Sequence, residues 1–231
     1  MASRPIFLVD DAENRLVKTV DVEFTWYAGM SAARRRMSAQ SLHDASRAHF
    51  PKRRLLEVSR MSDVSLGTEL SAFNLLYPEG SLTSGRPVEC VFQSSKVFQN
   101  GGPFQDLLSA EPGDAKRDER LRTSGRLIAF DLEGQRWPSE PLTAFYDWIY
   151  IKALNAHPMN ADAVMEYDAF TDIAFNPAKS FNCQARAVAL YVSLRRRDEL
   201  DEALGSQETF LGVLDRSSKQ NSDQMGQMKL L

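Results

Sequence analysis

Apolar and polar residues alternate from Val20 to Trp26, with Val20, Val22, Phe24 and Trp26 on one side. That period of two is what a strand with one buried face requires. Ser31 then stands as a cap before a helical stretch to Phe50 that brings Ala33, Met37 and Ala45 near one face. Arg54 to Val58 and Leu66 to Tyr77 read as extended or mixed, and Pro78-Glu79-Gly80 marks a turn, with Gly85 and Pro87 close behind. From there helical patterns dominate. Pro87 suits the first position of a helix running to about Phe98, which stops at Asn100-Gly101-Gly102, and Pro112 opens another that reaches Leu121. Arg126 to Phe130 has the length of a short strand. Pro141 begins a helix through Leu154 that is apolar on nearly every side, which predicts a central, buried position. A last helix spans Gln184 to Arg197, after a loop containing Asn176-Pro177, and beyond Arg216 the chain turns polar and aperiodic and is expected to fray.

These elements add up to a single α+β domain, helix-rich in its second half and carrying a small sheet. Residues 1–65 read as a strand and helix extension packed on the core, 66–215 as the core, and 216–231 as a flexible tail. With 231 residues, 43% of them hydrophobic, the chain is large enough to bury a core and hold a cleft rigidly. The net charge of −3 argues against a sequence-blind electrostatic grip on nucleic acid, but leaves open the capture of one modified nucleotide in a pocket. Cys90 and Cys183 are too few for a disulfide scaffold or structural zinc site and read as reduced thiols. His43, His49 and His157 lack metal-ligand spacing, so neither a metal nor a cofactor is expected, and no Gly-rich phosphate loop is present. Ile6 to Val9 is too short an apolar run for a signal peptide, and nothing approaches the ~20 apolar residues of a membrane helix. A soluble, cytoplasmic protein without a membrane partner is the expectation.

Three segments carry chemistry. In Val88-Glu89-Cys90-Val91-Phe92-Gln93-Ser94-Ser95-Lys96-Val97-Phe98, helical spacing puts Glu89, Gln93 and Lys96 within about 60° of one another. Phe92 and Val97 flank them, so the stripe is either a solvated face or a polar patch inside a pocket. Glu166-Tyr167-Asp168-Ala169-Phe170-Thr171-Asp172 sets three carboxylates among apolar residues. Such groups act as acid, base or electrostatic stabiliser when burial raises their pKa, and otherwise cap turns. Asn182-Cys183-Gln184-Ala185-Arg186 leads into a helix whose N-terminus would suit a phosphate, with Arg186 adding donors; an ordinary capped start is the other reading. Lys152, on the apolar helix, calls for a partner or a function. The basic runs Arg34-Arg35-Arg36, Lys52-Arg53-Arg54 and Arg195-Arg196-Arg197, with Lys116, Arg117, Arg120 and Arg122, read as solvated faces or a phosphate-binding rim.

Taken in order, these segments resemble the NADAR, or YbiA-like, family. The family's Val-Glu-His-X-X-Gln-X-X-Lys-Phe helix appears as Val88 to Phe98, its Ala-Lys-Arg segment as Ala115-Lys116-Arg117 after Pro112, and its late acidic stretch as Glu166 and Asp172 before the last helix. The match spans roughly Leu70 to Arg195. Ser71-Ala72-Phe73-Asn74, Tyr167 to Asp172 and Asn182 to Ala187 make the likeness closest to the NADAR antitoxins that accompany DarT-type toxins. Departures are Ala72 for the family's Asn, Cys90 for its His, and Ala174-Phe175 for its Trp-Gly, while the family's later Asn corresponds to Asn182 or Gln184.

The resemblance implies a NADAR-type catalytic core and an N-glycosidase that removes ADP-ribose from guanine in DNA, with RNA left open, releasing ADP-ribose and reversing a cognate toxin. Glu89, Lys96 and Asp172 are then the expected catalytic residues, and Phe73, Asn74, Gln93, Lys152, Glu166, Asn182, Gln184 and Arg186 the expected substrate-binding ones. Competing readings are an N-glycosidase of a riboflavin-pathway aminouracil nucleotide and a non-catalytic module that binds ADP-ribose or the toxin.

Overall fold

The computed structural model describes residues 1–10, 15–29, 31–78, 82–178 and 180–227, with side chains through residue 217. Glu79 and Gly80 of the expected turn lie outside the described residues. The chain opens with β1 (Ala2–Val9) and β2 (Val17–Phe24), an antiparallel pair, followed by α1 (Ala32–His49) and β3 (Leu55–Glu57). Short helix α2 (Ser65–Glu69) leads to a turn at 71–74 and to α3 (Val88–Ser94), after which β4 (Lys96–Phe98) begins almost at once. Helices α4 (Pro112–Arg117) and α5 (Arg120–Thr123) precede the strands β5 (Leu127–Leu132) and β6 (Gln135–Pro138). Then come α6 (Ala144–Asn155), α7 (Pro158–Ala163), β7 (Ala169–Thr171), α8 (Gln184–Arg196), α9 (Leu200–Gly205) and α10 (Gln207–Gln227).

Two small sheets result. The first has the order β2-β1-β7-β3, antiparallel except for the β3–β7 pair, and the second is the antiparallel meander β4-β5-β6. The first sheet separates two apolar layers. Ile6 and Leu8 of β1 pack with Val22, Phe24, Ala39 and Leu42 on the α1 side, whereas Phe7 and Val9 face the main core with α6 and α8. Being covered on both sides, β1 buries Pro5 through Val9 without alternation, which is why Ile6–Val9 shows no strand period in the sequence. Strands from either side of residue 65 thus share one sheet, and β7 is held between β1 and β3.

Helix α6 is the centre predicted for it: ten of its twelve residues are buried, Phe145 stacks on Phe130, and Trp148 packs on Trp137 and Phe210. Several boundaries differ from the expectation. The helix read from Pro87 to Phe98 ends at Ser94, because the hydroxyls of Ser94 and Ser95 both donate to the Val91 carbonyl and β-branched Val97 joins a ladder with Ala129. The helix read from Pro112 to Leu121 breaks at Asp118, whose carboxylate accepts from the Arg120 N–H and starts α5. The stretch read as extended or mixed is mixed, with residues 65–69 helical and Leu76 in an isolated bridge to Pro87. Helix α1 buries Ser38, Ala39, Leu42 and Ser46, turning Met37 outward. Helix α10 continues to Gln227, past the expected fraying point, with no proline in 216–227 to end it.

Gly67 is where α2 meets the end of β3. A Cβ there would overlap the Glu57 carbonyl oxygen and the Ser62 hydroxyl, so the backbone itself would have to move. Gly67→Ala is expected to destabilise the fold by about 1–3 kcal/mol, in line with overpacking elsewhere; a chemical-denaturation midpoint equal to wild type would show that the two segments are not held this tightly.

Candidate active site

The turn at 71–74 is the hub. The Ala72 carbonyl accepts from the Glu89 N–H at 2.9 Å and the Leu75 carbonyl from the Val88 N–H at 2.9 Å, which seats the first turn of α3 on it. From the other side the Ala72 N–H donates to Gln184 Oε1 at 2.8 Å, and Gln184 Nε2 donates to the Val58 carbonyl at 2.6 Å and to Asp172 Oδ2 at 3.0 Å. One side chain therefore joins the start of α8, the end of β3, the loop after β7 and the turn beneath Glu89.

Glu89 and Gln93 are buried at 4% and 5% exposure. Gln93 Nε2 donates to Glu89 Oε1 at 2.7 Å, and Lys96 Nζ donates to Gln93 Oε1 at 2.7 Å. The triad read from helical spacing is thus one hydrogen-bonded chain, although Lys96 reaches it from β4 rather than from the helix. Lys96 Nζ also lies 4.5 Å from the centre of the Phe92 ring, within an aromatic group that includes Tyr146. Burial pulls the Lys96 ammonium down to about 8, against the field of Glu89, with the charge of Lys116 adding to the fall.

Lys116, from α4, stands 3.4 Å from Glu89 Oε2 and 5.5 Å from the centre of the Phe73 ring, whose other cationic neighbour is Arg60 at 4.4 Å. Phe73 is consequently a half-buried ring flanked by two cations at the mouth of the cluster. Asp172 sits deeper. Its Oδ1 accepts from the Ala174 N–H at 2.9 Å, yet burial first and the neighbouring Glu57 second push its carboxyl up to about 7, with Lys116 and Gln184 opposing. Lys116 acts on both carboxylates, and Tyr146, wholly buried, feels Glu89 and Asp172 together. Glu89, Gln93 and Lys96 are thus joined to Asp172 and Gln184 through the backbone of Ala72.

The remaining expected residues fall into two groups. Asn182 has a buried carboxamide oxygen that meets no hydrogen-bond donor among the described residues, beside Cys183, which lies in the field of Asp172. A buried acceptor without a partner is an invitation to a ligand. Four others are engaged elsewhere. Asn74 is exposed and its amide donates to the Thr68 carbonyl at 2.8 Å. Glu166 is exposed at the end of the 3-10 turn 164–166 and pairs with Arg54 at 2.5 Å. Lys152 is exposed rather than buried, its ammonium 5.6 Å from the Trp148 ring centre, so it needs no carboxylate partner. Arg186 Nη1 pairs with the buried Asp147 and donates to Thr143 Oγ1 at 3.2 Å, which ties that end of the side chain to the start of α6.

Two residues of the cluster had no place among the candidates drawn from the sequence. Lys116 figured in a basic rim and in the Ala115-Lys116-Arg117 match to the family, without a site role. Glu57 did not figure at all: it is a lone carboxylate in a three-residue strand, and its burial arises from contacts with residues far away in the chain.

The family model of DarT1-associated NADAR antitoxins matches residues 2–224. The chain belongs to that family. No curated protein matches it significantly. The match starts at the beginning of β1 and ends within α10, so the NADAR unit in this chain includes the sheet built from β1, β2 and β3 as well as the helical core. Among the described residues no helix is long and apolar enough to cross a membrane.

Proposed function

We propose that this NADAR antitoxin is an N-glycosidase that removes ADP-ribose from guanine bases in DNA, undoing the modification made by its DarT partner toxin. The observation that carries the reading is the presence of two buried carboxylates in unlike surroundings beside a part-buried lysine. Glu89 accepts from the Gln93 amide at 2.7 Å and lies 3.4 Å from the Lys116 ammonium. Asp172 holds its proton up to about pH 7. Environments that push two carboxyl groups apart separate an electrostatic stabiliser from an acid.

The chemistry follows from that division. As the bond between the ribose carbon and the base nitrogen breaks, its electron pair leaves with the base and positive charge grows on the sugar. Asp172 gives its proton to the departing base, and the Glu89 carboxylate stabilises the oxocarbenium-like sugar until water adds to it and ADP-ribose is released. Lys96 has two roles open to it. As an ammonium it holds Gln93 and through it Glu89. As a neutral amine it displaces the base from the anomeric carbon of an opened ribose, the base leaving with the proton, and water then hydrolyses the Schiff base. Phe73, between Arg60 and Lys116, offers the flipped base or the adenine a ring with cations for the phosphates, and the Asn182 oxygen offers an acceptor.

The test is to mix the protein with an oligonucleotide carrying ADP-ribose on guanine and follow the oligonucleotide's mass, with the aminouracil nucleotide in parallel. Loss of the modification with release of ADP-ribose is expected; turnover of the aminouracil nucleotide alone would transfer the site to that metabolite, and turnover of neither would leave a binding module. The pH profile separates the roles of Lys96. An amine nucleophile requires Lys96 deprotonated and Asp172 protonated, which gives a bell centred between about 7 and about 8. An ammonium role gives a rate that stays level on the acid side of 7 and falls above it, and no borohydride-trapped adduct on Lys96.

A further inference from the structure

Behind Asp172 lies a second, fully buried carboxylate that the mechanism above does not use. Strands β3 and β7 run parallel with Glu57 opposite Thr171, so Glu57 and Asp172 leave the same end of adjacent strands. Glu57 is 2% exposed and each of its oxygens is held: Oε1 accepts from the Ser59 hydroxyl at 2.5 Å and the Ile173 N–H at 2.9 Å, and Oε2 lies 3.4 Å from His43 Nε2 on α1. The Ile173 N–H belongs to the residue next to Asp172. Gln184 ties the same two segments together through Val58 and Asp172. No cation bonds directly to Glu57 among the described residues unless His43 is protonated. A carboxylate anchored this firmly without a permanent counter-charge acts on Asp172, whose ionisation it opposes.

We propose that Glu57 is a positioning residue of this active site: fixed by Ser59, Ile173 and His43, it keeps the proton on Asp172 that the departing base receives. The inference rests on Asp172 being the acid of the proposed glycosidase. It also gives the first 60 residues a part in catalysis, since α1 supplies His43 and β3 supplies Glu57. The groups that face Asp172 have opposite leanings. Glu57 from β3 opposes its ionisation, whereas Lys116 from α4, Gln184 of α8 and the Ala174 N–H favour it. Arg4 of β1 lies near enough to share a field with it, and Tyr146 and Tyr150 of α6 and Cys183 before α8 stay neutral around it. Of these, Glu57 is the one group whose charge retains the proton, and it is second only to burial as the cause.

Glu57→Gln keeps the shape and removes the charge. Its first readout needs no substrate: the Asp172 carboxyl, identified by its loss in Asp172→Asn, is titrated by carbon NMR in protein labelled at the Asp carboxyl carbons. In Glu57→Gln it is expected to titrate about one pH unit lower than in wild type. An unchanged midpoint overturns the proposal whatever reaction the protein catalyses. The second readout is kcat/KM against pH on the modified oligonucleotide. The descending limb is expected to move down by the same amount, giving about tenfold less activity at pH 8 and near-wild-type activity at pH 5.5. A uniform loss at every pH is what a merely structural role produces, and it too overturns the proposal. Should the NMR midpoint move while the limb stays, Glu57 controls the proton but Asp172 is not the acid, and the reading of the site fails instead. If Glu57→Gln does not fold, Ser59→Ala, which removes only one donor from Glu57 Oε1, is read the same way: a changed Asp172 midpoint supports the coupling and an unchanged one sinks it.

Discussion

Replacing Glu89 with glutamine is expected to lower kcat/KM on ADP-ribosylated DNA by about a thousandfold, with the thermal midpoint nearly unmoved. Loss of one preorganised electrostatic group at a reacting centre typically removes a factor of about 10² to 10³, or roughly 3–4 kcal/mol of transition-state stabilisation. Under the proposed mechanism Glu89 is expected at the upper end, because its carboxylate would face the developing sugar cation in a largely buried position: it is 4% exposed, with Phe92 and Tyr146 packed nearby. Stability is expected to hold for a separate reason. Lys116, the cation beside Glu89, is more than half exposed and regains water when the charge goes, and the glutamine oxygen still accepts from Gln93. Glu89→Ala is a harsher test, since it leaves the buried Gln93 amide without its acceptor and is expected to lose about 1–3 kcal/mol of stability in addition. Steady-state kinetics with a melting curve on the same preparations decides the matter. A Glu89→Gln protein with activity within tenfold of wild type would remove Glu89 from the transition state and leave Asp172 and Lys96 as the only reacting groups.

The parts of this site that were legible in the sequence are those that lie close together along the chain. Glu89, Gln93 and Lys96 fall within eight residues, so spacing alone places them together, and it did so even though Lys96 belongs to a strand. Asp172 stood out as a carboxylate among Ala169, Phe170 and Ile173, all three of which are buried. The central place of α6 followed from its lack of any polar face. What was not legible depends on long-range pairing. Little local to Glu57 marks it, because apart from Ser59 its partners are His43, 14 residues away, and Ile173, 116 residues away. Strand β1 was passed over for a related reason: its period disappears when both of its faces are covered. Glu166 and Lys152 erred in the opposite direction. Neighbouring apolar residues made each look buried, while its own backbone position turned it to water. Gln184 stands between these cases, since its place before a helix was evident but its three partners, from residues 58, 72 and 172, were not.

Arg186 brings out the difference most sharply, because the sequence suggests a phosphate ligand and the structure offers a buried ion pair. Arg186→Ala is expected to destabilise the protein by about 3–5 kcal/mol, the range seen when one partner of such a pair is removed and the other stays behind. Asp147 is 1% exposed, its Oδ1 already meets no donor among the described residues, and Arg186 is the cation that offsets its burial. The pH dependence provides the discriminating sign. Burial holds the Asp147 carboxyl above the ordinary carboxylate range, with Arg186 and Thr143 pulling it back. Without Arg186 it rises further, so the folded variant binds a proton more readily than the unfolded chain does, and its stability falls as pH rises through that interval. The deficit relative to wild type is therefore expected to be larger at pH 8 than at pH 5, and Asp147→Asn in the same background should flatten it. Urea denaturation at the two pH values measures both quantities. A variant as stable as wild type but with a raised KM for the modified oligonucleotide would return Arg186 to the substrate and make its contact with Asp147 dispensable to the fold.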